Sequence, residues 1–369
     1  MLLPRYINGV GSWLGTVGCL LAAASLQAPA YADAVVASDL VQAAAQRPAL
    51  LARNAAQAVM LGAARTGKRI VTVGERGLIL FSDNGGASWQ QAAVPVSVTL
   101  TAVRFVDLRV GIAVGHAGVV LLTSDGGAHW QRVLDGQQLA ALALDAARKS
   151  GDPAALRDAQ RLQDDGPDKP LLDVCLLGNG RMVVVGAYGL IYGSEDHGRT
   201  WQAWTGRVHN PGGLHLNTVR SLGNTVLIGG ERGLALLSQD GGRSFRTLTS
   251  PYQGSYFTAE IRSANELILA GLRGNAWHSS DGGQQWQQLA SPAPVTITGS
   301  TTLADGTLVF SNQAGMLLSM RGARLVPSAA KPLSPINNLL ALDGGALLAL
   351  TIQGLVPVPA SASAAGVSP

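Results

Sequence analysis

One acidic residue recurs in the same surroundings four times along the chain: Asp125 in TSDGGAHW, Asp196 in SEDHGRTW, Asp240 in SQDGGRSF and Asp281 in SSDGGQQW. A carboxylate so placed can move a proton in catalysis, or it can accept backbone N–H groups and fix a turn. A catalyst seldom needs the same acid four times. In a fifth copy, SDNGGASW, the position is Asn84, which makes an equivalent turn bond without a charge. These positions are therefore read as structural turns, and the asparagine argues against a metal at each of them. Glycine relieves the sharp backbone position, and the closing aromatics Trp89, Trp130, Trp201, Phe245 and Trp286 anchor each turn onto its sheet.

Arginines form the second candidate chemistry. AVRFVD, TVRSLG and EIRSAN place Arg104, Arg220 and Arg262 at comparable points of three strands. Three guanidiniums at one level could engage a carboxylate, a phosphate or an acidic protein tail by directional hydrogen bonds. The alternative is that each pairs with a nearby acid and bridges structure; exposure and pairing separate the two readings. Short glycine turns display Glu75, Arg76, His116, Tyr188, Glu231, Arg232 and Arg273, and longer connections contribute His209, His215, Tyr252 and Tyr256. His209 and His215 flank an NPGG turn without a third ligand at a distinctive spacing, so no metal is expected. Cys175 in LLDVCLL reads as a small buried hydrophobe.

Five units share one plan and carry these residues: they begin at Gly74, Gly115, Gly186, Gly230 and Gly271, and their closing aromatics lie 41, 71, 44 and 41 residues apart. A period near 42 with four short strands per unit implies radial sheets that stack to cover two apolar faces, a β-propeller. NQAGMLLS at 312–319 and TIQGLVPV at 351–358 keep the glycine turn without the acidic hairpin, which makes seven blades. The all-β ring is expected over 55–360, with residues 33–54 leading into its closure as an additional outer strand beside the last blade, and 361–369 as a tail. The content of 46 glycines, 17 prolines and 47% hydrophobic residues fits many short buried elements joined by turns.

The doubled spacing holds an insertion at 135–170 of helix-forming composition, in which Asp152-Pro153 starts a second helix after Gly151. It is expected as a helical hairpin between blades two and three, either covering one face or packing against an adjacent blade. Residues 1–32 read as a secretory signal, with Arg5, an apolar stretch and an Ala-x-Ala ending at Ala32. A retained anchor, or a lipid on Cys19, is the alternative. The formal charge of +4 comes without a dense basic run, so nucleic acid is not an expected partner.

The acidic hairpins resemble the Asp-box, or BNR repeat, of sialidases and of many non-enzymatic propellers. GERG at 74–77 and 230–233, VGHAG at 114–118, VGAYG at 185–189 and NPGGLHLNTV at 210–219 resemble the photosystem II stability and assembly factor family, in particular its bacterial branch. That resemblance implies a seven-bladed propeller binding an assembling membrane-protein complex, and for the bacterial branch an accessory of resistance-nodulation-division type exporters. A sialidase would need a tyrosine nucleophile with a paired acid, and neither that pair nor an Arg-Ile-Pro segment is recognisable. The sequence thus points to a non-catalytic, periplasmic, monomeric binding protein without cofactor. The second reading is binding of an anionic small molecule, lipid or glycan in the central funnel.

Overall fold

The computed structural model describes residues 43–328 and 331–360; the signal-like segment, residues 33–42 and the tail from 361 lie outside them. Seven antiparallel sheets follow one another along the chain, six with four strands and the last with three. In blade 2 the strands are Leu100–Phe105, Gly111–Gly115, Val120–Thr123 and Gln131–Leu134. The first strands of successive blades pack against one another, and that of blade 1 also meets that of blade 7, so the sheets form a ring. This is a seven-bladed β-propeller.

No blade can bury both of its faces alone, and the apolar clusters show how the ring solves this. Each of the seven junctions has its own core. Val73, Phe81, Leu100 and Leu121 join blades 1 and 2, while Val183, Trp204, Val219 and Leu236 join blades 3 and 4. The closing junction packs Met60, Ile70 and Leu80 against Leu348 and Leu350. There Asn337 Nδ2 donates to the Met60 carbonyl at 2.9 Å, and Arg65 pairs with Asp343 at 2.7 Å.

The repeated glycine turn has a steric cause. After the second strand of blade 1 the chain passes so close to the preceding connection that a Cβ on Gly74 would lie 2.2 Å from the Val59 carbonyl oxygen. The next N–H, from Glu75, donates to that same carbonyl at 3.0 Å. Blades 2 to 5 repeat this bond with His116, Ala187, Glu231 and Leu272 as donors. The turn thus ties each blade's inner strand to its second and third strands.

The expected additional strand on the last blade is not formed by residues 43–54. Ala49 N–H bonds the Val94 carbonyl, Ser97 N–H bonds the Ala44 carbonyl, and Gln91 clamps the backbone of Leu50 and Ala52. This segment therefore runs along the outer side of blades 1 and 2, drawn there by Ala44, Ala45 and Ala49 packing on the first junction core. Only the short turn Ala55–Gln57 reaches the last blade, packing on its third strand, Gly354–Val358.

The insertion forms two helices, α1 (Gly136–Ser150) and α2 (Pro153–Asp164), between blades 2 and 3. Asp135 and Gln138 make a reciprocal cap at the start of α1, Gly151 ends it in a left-handed conformation, and Asp152 caps α2 ahead of Pro153. α1 packs against the outer strand of blade 3, and the Tyr192 hydroxyl donates to the Leu139 carbonyl at 2.8 Å. It therefore covers a sheet edge, which would otherwise present unpaired backbone groups.

Candidate functional site

The acidic hairpins join the third and fourth strands of blades 1 to 5. At blade 3 the Ser194 hydroxyl donates to Asp196 at 2.9 Å and accepts the Gly198 N–H at 2.8 Å, while Asp196 accepts the Thr200 hydroxyl and N–H. Those two donors hold the Asp196 carboxyl down at about 2. The Trp201 indole N–H closes the turn on the Gly198 carbonyl at 3.0 Å. Asn84 makes the same bonds with Ser82 and Ser88 N–H. Three of the five hairpins also receive an arginine from the preceding blade: Arg69 reaches from blade 1 to the Gly126 carbonyl, Arg181 from blade 3 to Gly241, and Arg246 from blade 4 to Gly282. The acids of different blades do not converge. The closing aromatics are not equivalent in burial either, since Trp130 and Trp201 are buried while Trp89, Phe245 and Trp286 are half-buried.

The charged groups that do converge lie on the inner strands Leu100–Phe105, Leu171–Leu176, Leu216–Leu222 and Tyr256–Ile261. Arg104 of blade 2 and Arg220 of blade 4 both pair with Asp173 of blade 3, Arg104 at 3.2 Å. Asp173 also accepts the Thr218 hydroxyl at 3.1 Å and the N–H groups of Val174 and Val219 at 2.9 and 3.0 Å. Its side chain is 8% exposed. Burial opposes ionisation, but Arg220 and Arg104 together with these donors outweigh it and hold the carboxyl below its ordinary value. One carboxylate thereby pins three blades.

Arg262 does not join this level. Strand pairing sets Arg104 opposite Ile112, Arg220 opposite Leu227, and Glu260 opposite Ile268, so Glu260 occupies the corresponding place in blade 5. Arg262 lies two residues further along and pairs with Glu266 at 3.5 Å. Glu260 accepts the Ser300 hydroxyl at 2.7 Å, and its charge acts on both Arg104 and Arg220. The two arginine side chains keep 26% and 21% exposure. Among the described residues, Nε of both and Nη2 of Arg220 have no hydrogen-bond acceptor. These donors are what the centre of the ring offers to a ligand.

On the face of the glycine turns, Arg76, His116, Tyr188, Arg232 and Arg273 are exposed, as is His209 in the connection after blade 3. His215 is half-buried, bonds Glu231 at 2.7 Å and packs at a tilt against Tyr188 with ring centroids 4.9 Å apart. Tyr252 donates to the Leu272 carbonyl at 2.9 Å. Tyr256 is not displayed: it is fully buried at the start of its inner strand, bonded to Ser250, and burial pushes its hydroxyl up to about 12. No tyrosine among the described residues bonds a carboxylate, the arrangement a sialidase-type nucleophile would need. Among them no group of three His, Cys, Asp or Glu side chains converges as a metal site. Cys175 is buried between the charged strands, and its burial, followed by the Asp173 charge, pushes the thiol up to about 12.

Asp173 and Glu260 are the site residues that motif reading passes over. An aspartate inside the apolar run LLDVCLL was the available signal for the first. Glu260 follows from counting back from the glycine after the second strand: Arg104, Arg220 and Glu260 stand ten or eleven residues before theirs, Arg262 only nine.

These features define the chain as a closed seven-bladed propeller with a charged inner ring. Solved structures give the same class: the chain is similar to YCF48 bound to D1 peptide, with 17% identity and TM-score 0.62, over 85% of this chain and 99% of that one. YCF48 from Cyanidioschyzon merolae is similar at 16% identity and TM-score 0.62, over 85% and 98% of the two chains. The WD40 propeller domain of Doa1 reaches TM-score 0.60 at 9% identity, over 85% and 95%. At these identities the likeness is one of fold. No protein-family model and no curated protein matches the chain.

Proposed function

We propose that this chain is an exported, non-catalytic propeller, a distant relative of the assembly-factor propellers, that binds an envelope protein or a membrane-protein complex, including one of exporter type. The observation that carries this reading is the inner ring, where Arg104 and Arg220 are held by Asp173 with N–H donors left over. A guanidinium oriented by one carboxylate is prepared to receive another, as a protein tail or an acidic side chain would supply. A propeller of the same fold has been solved with a peptide bound, which supports peptide binding as a use of this architecture. Because a rigid ring needs no cofactor to present loops, none is invoked.

The same donors suit a small anion, and one experiment separates the two readings. The protein is isolated from its native envelope after mild crosslinking, and co-purifying proteins and retained small molecules are both identified. An envelope protein recovered with the parent and lost from an Arg104→Gln/Arg220→Gln variant supports the proposal. Recovery of one stoichiometric small anion with no envelope protein overturns it.

A further inference from the structure

The second non-glycine residue of the glycine turns adopts a left-handed backbone in all five regular blades: Arg76, Ala117, Tyr188, Arg232 and Arg273 have φ of 54°, 54°, 55°, 50° and 55°. A side chain with a Cβ is disfavoured in that conformation, and glycine would adopt it freely. Blades 1, 4 and 5 nevertheless place arginine there. All three arginines are exposed, and none makes a salt bridge or side-chain hydrogen bond to a described residue. Strain kept at such positions directs attention to what the side chains do outside the fold.

From blade 4 round to blade 1 the connections on this face add no opposing charge. The connections 248–255, 289–296 and 92–99 contain no Asp or Glu, and Lys331 is exposed in the connection before blade 7. The two carboxylates on its turns are occupied: Glu75 accepts the Val59 N–H at 3.0 Å, and Glu231 accepts the N–H and ring of His215. Large apolar and aromatic side chains are exposed on the same side, with Tyr188 on its turn, Phe257 at the start of an inner strand and Ile352 on the turn of blade 7. The hairpin face also exposes Leu108, Leu222, Lys68 and Arg199, but there Asp83, Asp125, Glu266 and Asp343 pair with Arg69, His129, Arg262 and Arg65.

We infer that the glycine-turn face is a docking surface for an anionic lipid bilayer, with Arg76, Arg232 and Arg273 meeting the headgroups. The geometry selects a plane over a point. Arg232 and Arg273 stand on the adjacent blades 4 and 5 and Arg76 on blade 1, three blades away round the ring, so the three are too spread to close on one small anion, whereas a flat layer of headgroups meets all three at once. Basic side chains near an anionic surface attract it cumulatively, and neighbouring Tyr, Phe and Ile side chains suit the boundary of headgroup and acyl chain. Docking in this way leaves the hairpin face turned away from the membrane.

The test is vesicle co-sedimentation of the chain from Asp33 onward, which retains every described element and lacks the apolar leader that would itself bind lipid. Vesicles containing phosphatidylglycerol are compared with pure phosphatidylcholine. The protein is expected to partition to the anionic vesicles and to be released by high salt. Replacing one arginine weakens partitioning about fivefold, and Arg76→Gly/Arg232→Gly/Arg273→Gly weakens it on the order of 100-fold. The unfolding temperature of that variant stays level or rises, because glycine relieves the left-handed positions. Lys68→Gln with Arg199→Gln, exposed cations of the opposite side, leaves partitioning unchanged. The inference is overturned if anionic vesicles are not preferred, if the triple variant partitions as the parent does, or if it melts lower. It is equally overturned if the parent ignores vesicles while the three arginines control crosslinking to an acidic envelope protein.

Discussion

Replacing Asp173 with alanine removes the carboxylate on which blades 2, 3 and 4 converge. Five donors lose their acceptor: the guanidiniums of Arg104 and Arg220, the Thr218 hydroxyl, and the N–H groups of Val174 and Val219. Removing one partner of a buried ion pair costs about 3–5 kcal/mol, because the remaining charge stays desolvated. Both arginines retain some exposure, so water can compensate in part, and the lower end, about 3 kcal/mol, is the expected loss. For a domain of this size that lowers the unfolding temperature by roughly 4–5 °C. Denaturant and thermal unfolding measure it directly. The charge argument also predicts a reversal: with Arg104→Met and Arg220→Met already present, Asp173→Leu should restore most of the lost stability, since no uncompensated ion is left. A loss below about 1 kcal/mol for Asp173→Ala, or an equal loss with and without the two arginines, would refute the idea that this carboxylate pins the ring.

Two further outcomes follow from the same contacts. Trp201→Ala empties a site where the indole is 5% exposed and closes its own hairpin, so it should cost about 3–5 kcal/mol by chemical denaturation; an unchanged midpoint would contradict that packing. Asp173 has a carboxyl depressed in the folded state, so its stabilisation is complete above the unfolded value near ~4 and is lost as pH falls through the lower folded value. Unfolding followed from pH 6 toward roughly pH 2 should therefore show a steeper acid loss in the parent than in Asp173→Asn, and parallel curves would argue against this linkage.

The ring was legible in the sequence because its punctuation is chemically narrow. Only glycine fits a position such as Gly74, where a Cβ would come within 2.2 Å of a carbonyl oxygen, and few residues can supply the hydroxyl–carboxylate–glycine bonding of the Ser194 hairpin. The period is therefore written in residues that cannot drift far. The inner strands carry no such punctuation. Arg262 resembles Arg104 and Arg220 in its immediate neighbours, yet strand register, with the same irregularity after Leu100, Leu216 and Tyr256, places Glu260 at their level instead. Tyr256 sits beside loop residues in sequence, but it opens a strand and is drawn inward by Leu237, Leu248 and Leu269. The helical hairpin was readable from Asp152-Pro153 and Gly151; its docking on blade 3 depends on Leu139 and Tyr192, which are 53 positions apart. Register and long-range packing, rather than composition, decided each of these points.

The way the last blade is attached has a mechanical consequence. Blades 7 and 1 share no strand; they are held by apolar packing, two asparagine amides and the Arg65–Asp343 pair. All other neighbours are additionally joined by continuous polypeptide. Pulled from both ends, the molecule would part at this one seam like a split washer, and a covalent staple across it, or new termini cut elsewhere in the circle, would move the weak point without altering the blades.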